Sequence, residues 1–135
     1  MVSRESVRLA FLVAALHDLD VFACDISNAY LNVPCKEKIW FQAGPECGAE
    51  NHGKVMKLVR ALYGLKSSGA SWRKMFKDYI VSRMVFTPST VDGDMYYRRN
   101  NDRNHTPYYE LLLVYVDNVL AISHDPDRIM QTIGK

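Results

Sequence analysis

The stretch Leu111-Leu112-Leu113-Val114-Tyr115-Val116-Asp117-Asn118-Val119-Leu120-Ala121-Ile122 decides the fold, because it sets two apolar runs either side of one acidic dipeptide. Apolar runs of this length, rich in Leu, Val and Ile, read as β-strands buried on at least one face. Asp and Asn tolerate the dihedrals of a tight turn, so the two runs read as an antiparallel hairpin over 108–123 with Asp117 and Asn118 at its turn. Such a hairpin lifts a carboxylate to the tip of a rigid scaffold, as a metal-dependent active site requires. An ordinary hairpin carries the same signature.

Working outward from the hairpin, Asn100 to Pro107 reads as a polar turn, Met95-Tyr96-Tyr97 as a short strand and Pro88 to Gly93 as loop. Before these, Trp72, Phe76, Tyr79, Ile80 and Met84 fall at helical spacing and predict a helix over 69–84. On the other side, Asp125 can cap a last helix that starts near Pro126, and the chain stops within it at Gly134-Lys135. At the N-terminus Ser3 or Ser6 can cap a helix over 4–17, with Val7, Ala10, Phe11, Ala14 and Ala15 on one face. Asp20 to Ile26 then reads as a buried strand ending in an acid, and Ser27 to Leu31 as a short turn closed by Pro34. Lys38 to Gln42 and Lys54 to Val59 alternate polar and apolar residues and predict a strand pair. The order is helix, strand, strand pair, helix, three strands, helix. It implies an α+β fold, a mostly antiparallel sheet with helices packed on one face.

At 135 residues the chain suits one domain, and 48% hydrophobic with 11% aromatic residues argues against disorder. A formal charge of +2 is compatible with a polyanionic partner without requiring one. Cys24, Cys35 and Cys47 form no Cys-x-x-Cys pair and the four histidines are scattered, which argues against zinc and for free thiols of an intracellular protein. No apolar run reaches the roughly 18 residues that span a bilayer, and the N-terminus lacks the order of a signal peptide. Both ends read as cut from something longer.

Asp25 ends one predicted strand and Asp117 sits at a hairpin tip. If the two strands are neighbours, both carboxylates meet at one sheet end. Two such Asp side chains suit a hard divalent cation, which keeps waters and takes further oxygens from substrate phosphates. Asp25-Ile26-Ser27-Asn28-Ala29-Tyr30-Leu31-Asn32 resembles the first acidic motif of copia-type LTR retrotransposon reverse transcriptases. The stretch from Arg60 to Trp72, with its Leu62-Tyr63-Gly64-Leu65-Lys66 core, resembles that family's second motif, and Tyr115-Val116-Asp117-Asn118 its Tyr-x-Asp-Asp box. The similarity covers roughly 5–130.

This resemblance implies a polymerase palm with part of the fingers over 1–135, the thumb and RNase H segments lying outside. It implies RNA-directed DNA synthesis on a primer 3′-hydroxyl with two Mg²⁺ ions, or Mn²⁺. Asp25 and Asp117 would hold the metal ions with the Ile26 carbonyl as a further ligand, and Asn118 would stand in the second catalytic position. Tyr30 would lie under the incoming sugar, and Gly64 and Lys66 would line the nucleotide and template site. There a glycine permits close backbone approach and a lysine suits a phosphate. Read from the residues alone, a core aromatic is favoured for Tyr30, and Lys66 is equally a solvated loop lysine. Implied partners are template, primer and deoxynucleotides, a tRNA-like primer among them, and the rest of a Gag-Pol-type polyprotein. Implied locations are a cytoplasmic retrotransposon particle and the nucleus, with no membrane.

The chain departs from the family twice. Asn118 replaces the box's second aspartate, removing a charge that hard cations prefer. Ser67 to Ser71 replaces a Gln-x-Pro-Arg-Ala pattern, removing a basic template contact. An impaired reverse transcriptase is therefore the expected function. The alternatives are a dead remnant that keeps the palm fold with at most weak nucleic-acid binding, and a ferredoxin-like binding module unrelated to polymerases.

Overall fold

A computed structural model describes residues 1–134, so Lys135 lies outside the described residues. In chain order the elements are α1 (Arg4–Leu16), β1 (Asp20–Asp25), β2 (Trp40–Gln42), β3 (Val55–Lys57), α2 (Ser68–Ser82), β4 (Thr87–Pro88), β5 (Met95–Asn101), β6 (Pro107–Tyr115), β7 (Asn118–Ser123) and α3 (Pro126–Ile133). They fall into two units. One joins Met1–Ser27 to the segment from Lys77 onward, and the other is Asn28–Phe76.

The first unit is built on a five-stranded antiparallel sheet in the order β1-β7-β6-β5-β4. Its centre is the hairpin of β6 and β7, whose register pairs Leu111 with Ile122, Leu113 with Leu120 and Tyr115 with Asn118. Glu110, Leu111, Leu112, Leu113 and Val114 are all buried, so successive side chains on both sheet faces need cover. Helix α1 supplies it on the face of Leu111, Leu113 and Ile122, through Ala10 and Ala14. On the opposite face the Cys24 thiol meets the Met130 sulfur of α3 at 3.4 Å. The helices therefore lie on both faces rather than on one, because β6 is apolar in both directions.

Other boundaries also move. Strand β1 is not buried: it forms a sheet edge, and Val21 and Phe22 are each 40% exposed. In α1 only Ser6, Ala10 and Ala14 are buried, and Phe11 and Ala15 face solvent. Strand β5 runs on to Asn101, paired with Pro107, so the polar turn shrinks to 102–106. The Asp102 carboxylate closes that turn by accepting the Asn104 and Thr106 N–H groups at 2.8 and 2.7 Å. Pro88, the first residue of the expected loop, instead joins Thr87 in the short strand β4, paired with Tyr96 and Tyr97 of β5.

Asp92 fastens the start of α1. Ser3 Oγ caps the helix by accepting from Ser6 N–H at 3.1 Å, while Asp92 Oδ2 accepts from Ser3 N–H at 2.8 Å and from the Ser6 hydroxyl at 2.6 Å. A carboxylate at a helix N-terminus also complements the helix dipole. Burial alone would raise the Asp92 pKa. The donors from Ser3, Ser6 and Asp94 outweigh it and bring the value from 3.8 down to about 2. A folded-state pKa below the unfolded one contributes stability that is present above the unfolded value and is lost as pH falls through the folded one. Asp92→Asn should therefore cost about 1–2 kcal/mol at neutral pH. Urea melts should show the gap to the wild type closing between pH 3.8 and about 2.

The second unit holds the two-stranded ribbon of β2 and β3, paired Trp40 with Lys57, Phe41 with Met56 and Gln42 with Val55. A bridge between Pro34 and Arg60 extends it, with Cys35 N–H on the Val59 carbonyl and Ala61 N–H on that of Val33, each at 3.0 Å. The first half of α2 completes the unit, where Trp72 stacks on Phe76 with ring centroids 5.0 Å apart. Met84, Ile80, Phe76 and Trp72 are buried at the spacing the sequence predicts. The three cysteines are free thiols.

Candidate active site

The acidic end of the sheet is assembled by pairing. Strand β1 lies against β7 so that Asp25 is the direct partner of Asn118. The pairing continues past the strand, because Ile26 N–H donates to the Asp117 carbonyl at 2.8 Å. Asp25, Ile26, Asp117 and Asn118 therefore share one end of the sheet, although they lie far apart in sequence.

The turn between β6 and β7 is centred one residue earlier than expected, on Val116 and Asp117, since Tyr115 and Asn118 are already a ladder pair. Val116 takes φ 58°, a left-handed conformation that is costly for a β-branched residue. Backbone held in this region persists only where the surroundings over-determine it. Here the buried ladder of β6 and β7 does so, and the conformation leaves Asp117 at the tip. Asn118 Nδ2 donates to Asp117 Oδ1 at 3.2 Å, so the carboxamide occupies one of the carboxylate oxygens.

A groove of about 470 Å³ opens beside this end, lined by Phe11 and Val7 of α1, Asp25, Leu113, Tyr115 and Asn118 among others. Asp25 is exposed at its rim. On the reverse face, burial first and the Asp25 charge second push the Cys24 thiol pKa up.

The donor set at the sheet end is two carboxylates, one backbone carbonyl and one carboxamide. Among the described residues no three His, Cys, Asp or Glu side chains cluster as a metal cage. Mg²⁺ is commonly held by one or two carboxylates while waters and substrate phosphates complete its shell. The chain's residues fit that mode.

The remaining candidates belong to the second unit. Tyr30 follows the left-handed Asn28, is half-buried and lies against Tyr63 with ring centroids 4.3 Å apart. Lys66 and Gly64 are exposed. Gly64 adopts φ 92°, and a Cβ added there would meet nothing within 4 Å. The positive φ favours glycine at this position, since an L side chain would be strained there.

Two features escaped the sequence reading. Glu37 Oε1 accepts from Ser67 N–H at 3.0 Å and from the Ser67 hydroxyl at 2.8 Å, immediately before α2. The Ser67 N–H, then its hydroxyl, then the charge of Lys66 hold the Glu37 carboxyl below its ordinary range. Ser67, read from sequence only as a lost family residue, thus anchors the start of α2. The second is the Glu110–Arg98 pair. Its sequence trace is the period-two spacing of Arg98, Asn100, Tyr108 and Glu110, which places them on one face of β5 and β6.

Residues 1–133 match the family described as reverse transcriptase (RNA-dependent DNA polymerase). The chain belongs to that family. It is also 31% identical over 137 residues to a Retrovirus-related Pol polyprotein from transposon TNT 1-94 of Nicotiana tabacum. That match covers 99% of this chain and 10% of the polyprotein, so the chain spans about a tenth of its relative's length. Together these matches place it with the copia-type reverse transcriptases. No solved structure matches the chain. Reverse transcriptases generally use divalent metal ions and act on nucleic acids. Among the described residues no helix is long and apolar enough to cross a membrane.

Proposed function

We propose that this chain is the palm, with part of the fingers, of a copia-type reverse transcriptase that adds deoxynucleotides to a primer 3′-hydroxyl. The observation that carries the reading is the β1–β7 register, which places Asp25 opposite Asn118 and beside Asp117. Asp25 and Asp117 would hold two Mg²⁺ ions, or Mn²⁺, with the Ile26 carbonyl as an additional oxygen donor. When bound, divalent cations polarise the attacking hydroxyl and stabilise the leaving oxygen of an in-line phosphoryl transfer. The chain's own part is positional. The buried hairpin and the edge strand fix two carboxylates on rigid elements, so they need not reorganise as charge develops. In the second unit, Tyr30 on its Tyr63 support would lie under the incoming sugar, and Gly64 and Lys66 would face nucleotide and template.

With Asn118 in the second box position, this copy is an impaired polymerase: it offers the cations two carboxylates where the family's box supplies a third. Its context is the rest of a Gag-Pol-type polyprotein, its substrates an RNA or DNA template with primer, and its place a cytoplasmic particle or the nucleus. Primer extension by a complete reverse transcriptase carrying this segment tests the assignment. Asp25→Ala and Asp117→Ala should each abolish extension while the melting temperature holds, since both positions are at or near the surface. Extension that survives Asp25→Ala would refute the metal role.

A further inference from the structure

We propose that Glu37 is a positioning residue for nucleotide selection: it clasps the arm that bears Tyr30 to the start of α2 and so holds the Tyr30 ring in place. This rests on the reading that Tyr30 lies under the incoming sugar. Within the second unit, the arm from Ala29 to Glu37 is tied twice to the segment from Arg60 to Gly69. The first tie is backbone, the Pro34–Arg60 bridge with Ala61 N–H on the Val33 carbonyl at 3.0 Å. The second is Glu37, whose Oε1 accepts from Ser67 N–H at 3.0 Å and from the Ser67 hydroxyl at 2.8 Å. Tyr30 is held from that same segment. Its ring lies against Tyr63 with centroids 4.3 Å apart, and a Cβ built at Gly69 would stand 3.6 Å from its hydroxyl oxygen. The first turn of α2 therefore limits where the phenol can sit.

The clasp does more than start a helix. A serine before a helix can satisfy the first N–H groups locally. Here both donors of Ser67 go to a carboxylate thirty residues earlier in the chain. A bond of that reach gives α2 nothing a local cap could not, but it fixes the helix start to the Tyr30 arm. A ring under the sugar rejects an added hydroxyl by excluded volume, which is worth at most about 100-fold. It does so only while the ring keeps its place, since a shift of about 1 Å can remove a factor of that size. Glu37 acts through Ser67, Gly69 and Tyr30 and touches no reacting atom.

Competitive incorporation of dCTP and CTP by a complete reverse transcriptase carrying this segment reads the effect as a ratio, so impairment at Asn118 cancels. Tyr30→Ala should lower the preference for dCTP by up to about 100-fold, and Glu37→Ala by about tenfold. Glu37→Gln, whose amide oxygen can still accept from Ser67, should keep most of the preference. Ser67→Ala, which retains the N–H bond, should lose less than Glu37→Ala. A merely structural role for Glu37 would slow dCTP and CTP alike and leave the ratio where it was. On the full chain alone, nuclear Overhauser contacts between the Tyr30 ring and Gly69 should weaken in Glu37→Ala and persist in Glu37→Gln. These contacts report even on an enzyme that extends nothing. The proposal is overturned if they survive Glu37→Ala, or if the ratio falls in Tyr30→Ala but not in Glu37→Ala. A ratio unmoved by Tyr30→Ala would refute the sugar contact itself, and this proposal with it.

Discussion

Asn118→Asp, placed in a complete reverse transcriptase, should raise the rate of primer extension by about 10–100-fold. The argument starts from two contacts. Asn118 lies directly opposite Asp25 across β1 and β7, and its Nδ2 donates to Asp117 Oδ1 at 3.2 Å. Aspartate at this position replaces a donor with an acceptor, removes the Asn118 amide from the Asp117 carboxylate and adds a full negative charge where hard cations are to be held. The same change has a cost that serves as its control. Without cations, three carboxylates at one sheet end repel, and like charges directly opposite in an antiparallel pair are destabilising. The variant should therefore melt below the wild type in EDTA and recover when Mg²⁺ is added, whereas the wild type should respond less. Unchanged extension would show that this position does not limit the polymerase.

The second large effect lies away from the chemistry. Glu110 is 3% exposed in the middle of the sheet. Its Oε2 accepts from Arg98 Nε at 2.8 Å, and its Oε1 from Asn100 at 2.9 Å and the Ser123 hydroxyl at 2.9 Å. Tyr108 OH bonds both Glu110 and Ser123, and the Arg98 guanidinium sits 4.3 Å over the Phe86 ring. Burial by itself would raise the Glu110 pKa. The Asn100, Arg98 and Ser123 donors and the Arg98 charge reverse that and hold the carboxyl below its ordinary range. Removing one partner strands the other. Arg98→Ala should cost about 3–5 kcal/mol in urea denaturation, because Glu110 is left buried without its counter-charge. Replacing both, as Arg98→Met with Glu110→Leu, should recover most of that loss. A single Arg98→Ala costing under about 1 kcal/mol would mean that the network contributes little.

The central hairpin was legible because β6 is apolar at four successive positions and only a buried strand accommodates that. Caps were legible for the same local reason: Ser3 and Asp125 accept from backbone N–H groups three residues on, at 3.1 and 3.3 Å. What the sequence hid was set by distant partners. Nothing local distinguishes β1 as an edge strand, since Val21 to Cys24 is as apolar as an interior one. The apolar run of β6 calls for cover on both faces, but nothing local in α1 or α3 says which face each helix takes, and the two take opposite faces. The turn was placed on Asp117 and Asn118 by side-chain preference, yet the register of the buried ladder put Val116 in the left-handed position instead. For the site, the pairing of Asp25 with Asn118 follows once β1 neighbours β7, whereas the Glu37–Ser67 bond joins residues with no periodic relation and left no trace.

The most direct test of the central claim is where a divalent cation binds the chain. Adding substoichiometric Mn²⁺ to the isotope-labelled protein and recording amide spectra should broaden the signals of Asp25, Ile26, Asp117 and Asn118 before others. Excess Mg²⁺ should restore them, and Asp25→Ala with Asp117→Ala should remove the effect. Broadening centred elsewhere, or unchanged in that double variant, would contradict a metal site at this end of the sheet.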